Sequence, residues 1–277
     1  MPDETTPVES DDFTEDLTTE TWPADLAGPG LVARLAAEAT GTFILVLIGA
    51  GTAAMAAVTG RGPLDVGLAY GIALMIGIVA WRSVSGAHFN PAVTVGAWLS
   101  GRFPGMDVVP YILAQVVGGI LAAGIVRIGV GSLEAVTSDS AMSLMGAVSA
   151  GYGEHAPLAS SGLNFSVAVA LTVEALAAGL LTLVVLGAAA KRTTRTVAPF
   201  AIGLTFAVLM MWAIPFTNGA LNPARATATA LFSDTWALQQ LWAWWLAPVV
   251  GAAIVGLLYR IYGSVEEPEV AEESAEA

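Results

Sequence analysis

Two Asn-Pro-Ala triplets, Asn90-Pro91-Ala92 and Asn222-Pro223-Ala224, hold the side chains of this sequence best placed to do chemistry. Asn is a favoured helix N-cap, and Pro suits the first helical position, where its missing N–H would lack a partner anyway. Each triplet therefore reads as a helix start. The Asn side-chain oxygen caps that helix, which leaves the amide N–H₂ to donate into the space in front of it. Partial positive charge at both helix starts adds to this donor pair. A polar molecule between them turns its oxygen toward the amides, and a cation meets an unfavourable potential.

Arg225 follows the second triplet in an otherwise apolar region. An Arg at membrane depth is costly and faces a wet interior unless a carboxylate pairs with it. Glu38 and Glu174 are the candidate partners, yet they stand at matching places in the two halves, so each is expected to brace its own loop. The approaches Ser85-Gly86-Ala87-His88-Phe89 and Thr217-Asn218-Gly219-Ala220-Leu221 read as non-helical backbone, tolerated at depth only when buried or lining a cavity. Their free carbonyls would form a ladder of acceptors. His88 lines that space, holds loop backbone, or does both, whereas His155 reads as a loop residue.

The elements that must position these groups are membrane spans. The chain is 56% apolar and 12% charged, with a mean hydropathy of +0.72 and no Cys, which excludes disulfides, thiolate metal sites and Cys nucleophiles. Spans are expected at about 31–59, 64–86, 108–130, 163–190, 197–217 and 236–262. Two shorter apolar segments, 90–100 and 222–232, would each cover about 16 Å, half of a bilayer core of about 30 Å. Neither spans alone, but two end to end do. Gly118-Gly119 and Gly251-Ala252 mark close helix packing, and Trp242, Trp244 and Trp245 suit an interfacial belt as well as a functional role.

The two halves repeat. The triplets are 132 residues apart, Glu38 and Glu174 are 136 apart, and Ala114-Gln115-Val116-Val117-Gly118 matches Ala247-Pro248-Val249-Val250-Gly251. Three spans per copy is an odd number, so the second copy enters from the opposite face, and the short segments meet near the midplane. The fold class expected is an all-α membrane protein, six transmembrane helices plus two re-entrant half-helices in an inverted 3+3 repeat. The channel domain is set at 31–262, with repeat one about 31–130 and repeat two about 163–262.

Lys191, Arg192 and Arg195 cluster between spans four and five, which sets that loop and both termini on the cytoplasmic side of a cell membrane. The formal charge of −13 misleads: residues 1–30 and 263–277 carry fifteen acids and no base, leaving the body at +2. These tails read as disordered polyanion without a part in mechanism. No apolar leader is visible in residues 1–30, so no cleavable signal is expected.

Over residues 31–262 the chain resembles the major intrinsic proteins, the aquaporins and aquaglyceroporins. The resemblance rests on Ala37-Glu38, Gly41-Thr42, Ser85 to Thr94 and Leu221 to Arg225. Gly151-Tyr152-Gly153-Glu154-His155 and Trp236-Ala237-Leu238-Gln239-Gln240-Leu241-Trp242 point to the bacterial aquaporin Z-type water channels. The resemblance implies a homotetramer with one pore per subunit, water and small uncharged solutes as permeants, the lipid bilayer as surroundings, no cofactor and no nucleic acid. Aquaporin-type pores are the general example of selectivity by width, lining groups and fixed positive charge. Ala226 and Ala230 stand where glycerol facilitators tend to carry Asp and a basic residue, which favours the water branch.

By its spacing from the motifs, the outer constriction falls on Tyr70, Met210, Gly219 and Arg225. A strict water channel of this family is expected to show Phe, His, a small polar residue and Arg. Met210 removes an imidazole donor and Gly219 opens space, which Met210 fills or leaves by swinging away. The expectation is water permeation with weaker exclusion of glycerol, ammonia or hydrogen peroxide. The competing readings are a glycerol-type facilitator and a secondary transporter, though no Asp stands near either motif to couple an ion. An enzyme is not expected, since the spans hold no Ser/His or Asp/Asp pair. Arg82 stands where relatives of this kind tend to carry His, and the sequence offers no reason.

Overall fold

Polar side chains are buried in this protein beside an apolar core, and large apolar side chains also face outward, as suits a hydrocarbon solvent. Glu38, Gln115, Glu174 and Asn222 are fully buried, while Val79 and Ile128 are 70% and 73% exposed. The computed structural model describes residues 28–133, 136–190 and 196–262. Residues 1–27 and 263–277 of the tails lie outside the described residues, as do Lys191, Arg192 and Arg195.

The described residues form helices and no strands. The first half contains α1 (Leu31–Thr59), α2 (Pro63–Ser85), the half-helix α3 (Pro91–Leu99) and α4 (Gly105–Gly131). A helix not anticipated from sequence, α5 (Ser138–Ala147), lies in the connection between halves, with Thr137 as its N-cap. The second half contains α6 (Val167–Ala190), α7 (Ala198–Thr217), the half-helix α8 (Pro223–Ala230), the short α9 (Thr235–Gln239) and α10 (Leu241–Tyr262). Six of them are long and apolar enough to cross a membrane. The last expected span, 236–262, is divided at Gln240, so the crossing helix starts at Leu241.

Packing follows the repeat. α1 lies along α4 as α6 lies along α10, and α1 against α2 as α6 against α7. Each half-helix packs on the last span of the other half, α3 on α10 and α8 on α4. Two glycines make the tightest of these contacts. A side chain at Gly118 would run into the Ala39 backbone of α1, and one at Gly251 into the Ala175 backbone of α6. Lipid supplies no hydrophobic drive between spans, so such close backbone approach is what holds the bundle together.

Candidate functional site

The two half-helices begin as the triplets predict. Asn90 Oδ1 accepts from Ala92 N–H at 2.9 Å, and Asn222 Oδ1 accepts from Ala224 N–H at 2.9 Å and from Arg225 N–H at 3.2 Å. The expectation that both amide hydrogens of each Asn face open space needs correction. Asn90 Nδ2 donates to the Leu221 carbonyl at 3.0 Å, and Asn222 Nδ2 donates to the Phe89 carbonyl at 2.8 Å. Each Asn thus ties itself to the loop of the other half and keeps one N–H free. The crossing explains why the two caps face each other at a fixed separation.

The loops that feed the caps are held by the buried carboxylates. Glu38 Oε1 accepts from Ser85 Oγ–H (2.7 Å) and His88 N–H (3.0 Å), and Oε2 from Phe89 N–H (2.7 Å) and Gln115 Nε2–H (2.8 Å). Glu174 Oε1 accepts from Thr217 Oγ1–H (2.5 Å) and Ala220 N–H (2.8 Å), and Oε2 from Leu221 N–H (2.6 Å). Pro248 stands at the repeat position of Gln115, so the second carboxylate has one donor fewer. These bonds hold Phe89 and Leu221 at φ 49° and 46°, in the left-handed region that non-glycine residues avoid. Among the described residues no protein donor meets the carbonyls of Gly86, Ala87, His88 or Gly219. The acceptor ladder is therefore uneven, with three free rungs on the first loop and one on the second.

Arg225 sits 1% exposed, with no carboxylate at ion-pair distance among the described residues. Its Nε–H donates to Tyr70 Oη at 3.0 Å, and Nη2 donates to the carbonyls of Val148 (3.0 Å) and Asn218 (3.1 Å). Nη1 is buried and meets no acceptor. A fixed guanidinium with one unspent donor is what a passing oxygen atom would need. Tyr70 is seated against Gly49, where any side chain would overlap its ring, and it packs edge-on to Phe206. Met210 settles the question left open by Gly219. A Cβ on Gly219 would lie 3.0 Å from both the Sδ and the Cε of Met210, so the thioether fills the space. Tyr70, Met210 and Arg225 are each at most 1% exposed.

Bounded in part by Phe206, the neighbour of Tyr70, lies a cavity of about 10 Å³, at the threshold for holding a single water. Asn90 and Asn222 supply its polar face, opposite Leu45, Leu74, Leu181 and Phe206. His88 lines this cavity and also a larger one of about 680 Å³, with Arg82 and Arg102. The ring of His88 packs against Phe103 and Tyr111, and its Nδ1 lies 3.2 Å from Thr94 Oγ1. Its backbone N–H donates to Glu38.

Other placements depart from the sequence reading. His155 stacks flat on Trp236, with ring centroids 4.2 Å apart, rather than hanging free in a loop. Trp242 is half exposed, as an interfacial residue should be, but Trp244 is 1% exposed and Trp245 Nε1–H donates to Thr227 Oγ1. Only the first therefore suits a belt. Sequence reasoning missed Gln115 and Thr94, which complete the Glu38 brace, and Val148 and Asn218, which complete the Arg225 cradle. The Gln115/Pro248 mismatch between repeats was the one local signal for the first of them.

A six-span helical bundle whose two half-helices are capped by Asn90 and Asn222, each bonded to the other half's loop, has the architecture of a membrane channel. The family model for major intrinsic proteins matches residues 27–259, and the chain belongs to that family, whose aquaporins are channels rather than enzymes. Its similarity to Aquaporin Z of Photorhabdus laumondii is 41% identity over 237 residues, covering 83% of this chain and 97% of that protein. The fold is similar to the X-ray structure of the aquaglyceroporin from Plasmodium falciparum. That match has a TM-score of 0.66 at 21% identity and covers 83% of this chain and 96% of the other.

Proposed function

We propose that this protein is a passive water channel that excludes protons and ions, with both termini cytoplasmic in a cell membrane. The observation that carries the reading is the buried Arg225 beside Tyr70, whose Nη1 has no protein partner among the described residues. A water that gives its oxygen to this donor, and next to the free N–H of Asn90 and of Asn222, is turned the same way at each. A proton wire needs each water to donate to the next in line, and that orientation interrupts it. The similarity to Aquaporin Z supports water as permeant, and the family supports a homotetramer with one such passage in each subunit.

Solutes as slim as water, such as ammonia and hydrogen peroxide, fit the same ring. Glycerol is expected to pass slowly while Met210 lies against Gly219. In stopped-flow light scattering, proteoliposomes are expected to shrink far faster than empty vesicles under an osmotic step, and to admit glycerol slowly. Water flux equal to that of empty vesicles would remove the assignment. Met210→Ala is expected to raise the glycerol-to-water permeability ratio severalfold by emptying the thioether's place. An unchanged ratio would show that Met210 does not set the width.

A further inference from the structure

Two stretches singled out in the sequence, Gly151–His155 and Trp236–Trp242, take no part in the passage but meet each other above it. The Gln240 side chain closes on Tyr152 from both sides. Tyr152 N–H donates to Gln240 Oε1 at 2.8 Å, and Gln240 Nε2–H donates to the Tyr152 carbonyl at 3.2 Å. Next to this clamp, Gly151 N–H donates to the Thr217 carbonyl at 3.0 Å, and Tyr152 packs edge-on to the buried Trp244. At the other end of the segment, Asn218 Nδ2 donates to the carbonyls of Ala147 (2.6 Å) and Ser149 (3.0 Å). Val148, whose carbonyl accepts from Arg225 Nη2, lies between the two carbonyls that Asn218 holds, on the side of the segment away from the Gln240 clamp.

We infer that Gln240 is a positioning residue for the outer constriction: its amide fixes the Tyr152 end of the segment 147–152, as Asn218 fixes the other, so that the Val148 carbonyl holds the Arg225 guanidinium in place. The inference rests on the filter reading given above. It follows from the bonding. Segment 147–152 is irregular backbone outside any helix beyond Ala147, so its shape depends on the groups that satisfy its N–H and C=O. A side-chain amide is suited to this because it offers one acceptor and one donor in a plane, matching one residue's N–H and C=O. Gln240 is the C-cap of α9, at the break before α10.

The test uses proteoliposomes of the full chain, with proton leak read from an entrapped pH dye and glycerol and water flux read by stopped flow. Gln240→Met keeps the side chain's length and removes both hydrogen bonds. It is expected to raise the proton leak and the glycerol-to-water ratio severalfold. Made on top of Arg225→Ala it is expected to add nothing, because the residue through which it acts is gone. Leak that rises equally in both backgrounds overturns the inference, since it would report general loosening. So does a Gln240→Met channel as tight as the parent when Arg225→Ala leaks. If Arg225→Ala itself does not leak, the filter reading falls and this inference with it. Should Gln240→Met fail to fold, Gln240→Glu carries the same comparison, for it keeps an acceptor for Tyr152 N–H and turns an oxygen without hydrogen toward the Tyr152 carbonyl.

Discussion

Arg225→Ala is expected to raise the leak of protons and small cations through reconstituted channels by about two orders of magnitude, while water still crosses. The estimate follows from charge and place. Arg225 is buried, its charge meets no carboxylate at ion-pair distance among the described residues, and one of its nitrogens is unpaired. A cation passing at about 5 Å is repelled by roughly 3 kcal/mol at an effective dielectric of about 20, and this is the barrier the variant removes. Arg225→Lys separates charge from geometry. It keeps the positive centre but cannot reach Tyr70 Oη and the carbonyls of Val148 and Asn218 with one planar fork. It should therefore hold cations back while passing glycerol more readily. Voltage-clamp currents and dye-reported proton flux check both variants. Proton conductance in Arg225→Ala equal to that of the parent would place the guanidinium away from the permeant's path.

The parts of this site visible in the sequence are those whose physics is local. Asn90 and Asn222 announce themselves because an N-cap is decided within three residues of the helix it starts, and Pro91 and Pro223 confirm it. The six spans are legible because hydropathy over about 20 residues decides membrane insertion regardless of tertiary contacts. Glu38 and Glu174 are visible only because the chain is doubled, so a buried acid appears twice at one place in the repeat. What the sequence hides is contact across distance. Val148 reaches Arg225 over 77 residues, and Tyr152 reaches Gln240 over 88. No periodicity encodes either. The state of Met210 is hidden for another reason: its unbranched thioether has several rotamers of similar energy, and only the vacancy at Gly219 selects one. The second amide hydrogen of each Asn belongs to the same class, since its acceptor lies on the opposite loop.

Those crossed bonds make the two carboxylates the other sensitive point. Glu174→Gln is expected to lower stability by about 1–3 kcal/mol and to reduce water permeability well below that of the parent, with Glu38→Gln behaving alike. Whichever way the introduced amide is turned at position 174, either Ala220 N–H or Leu221 N–H is left facing an N–H₂ group. The same holds at position 38 for His88 N–H and Phe89 N–H. A donor stranded in a buried loop costs its full desolvation, and here the loops already carry residues with φ of 46° and 49° that depend on those bonds. The effect does not stay in its own half. Leu221, held by Glu174, offers its carbonyl to Asn90, and Phe89, held by Glu38, offers its carbonyl to Asn222. Loosening either brace therefore misaims the amide of the opposite half-helix, and with it the donor that a permeating water meets. Thermal unfolding in detergent and stopped-flow water flux measure the two consequences separately. Variants with parental melting behaviour and parental water flux would show that the carboxylates neither support the loops nor, through them, aim the paired asparagines.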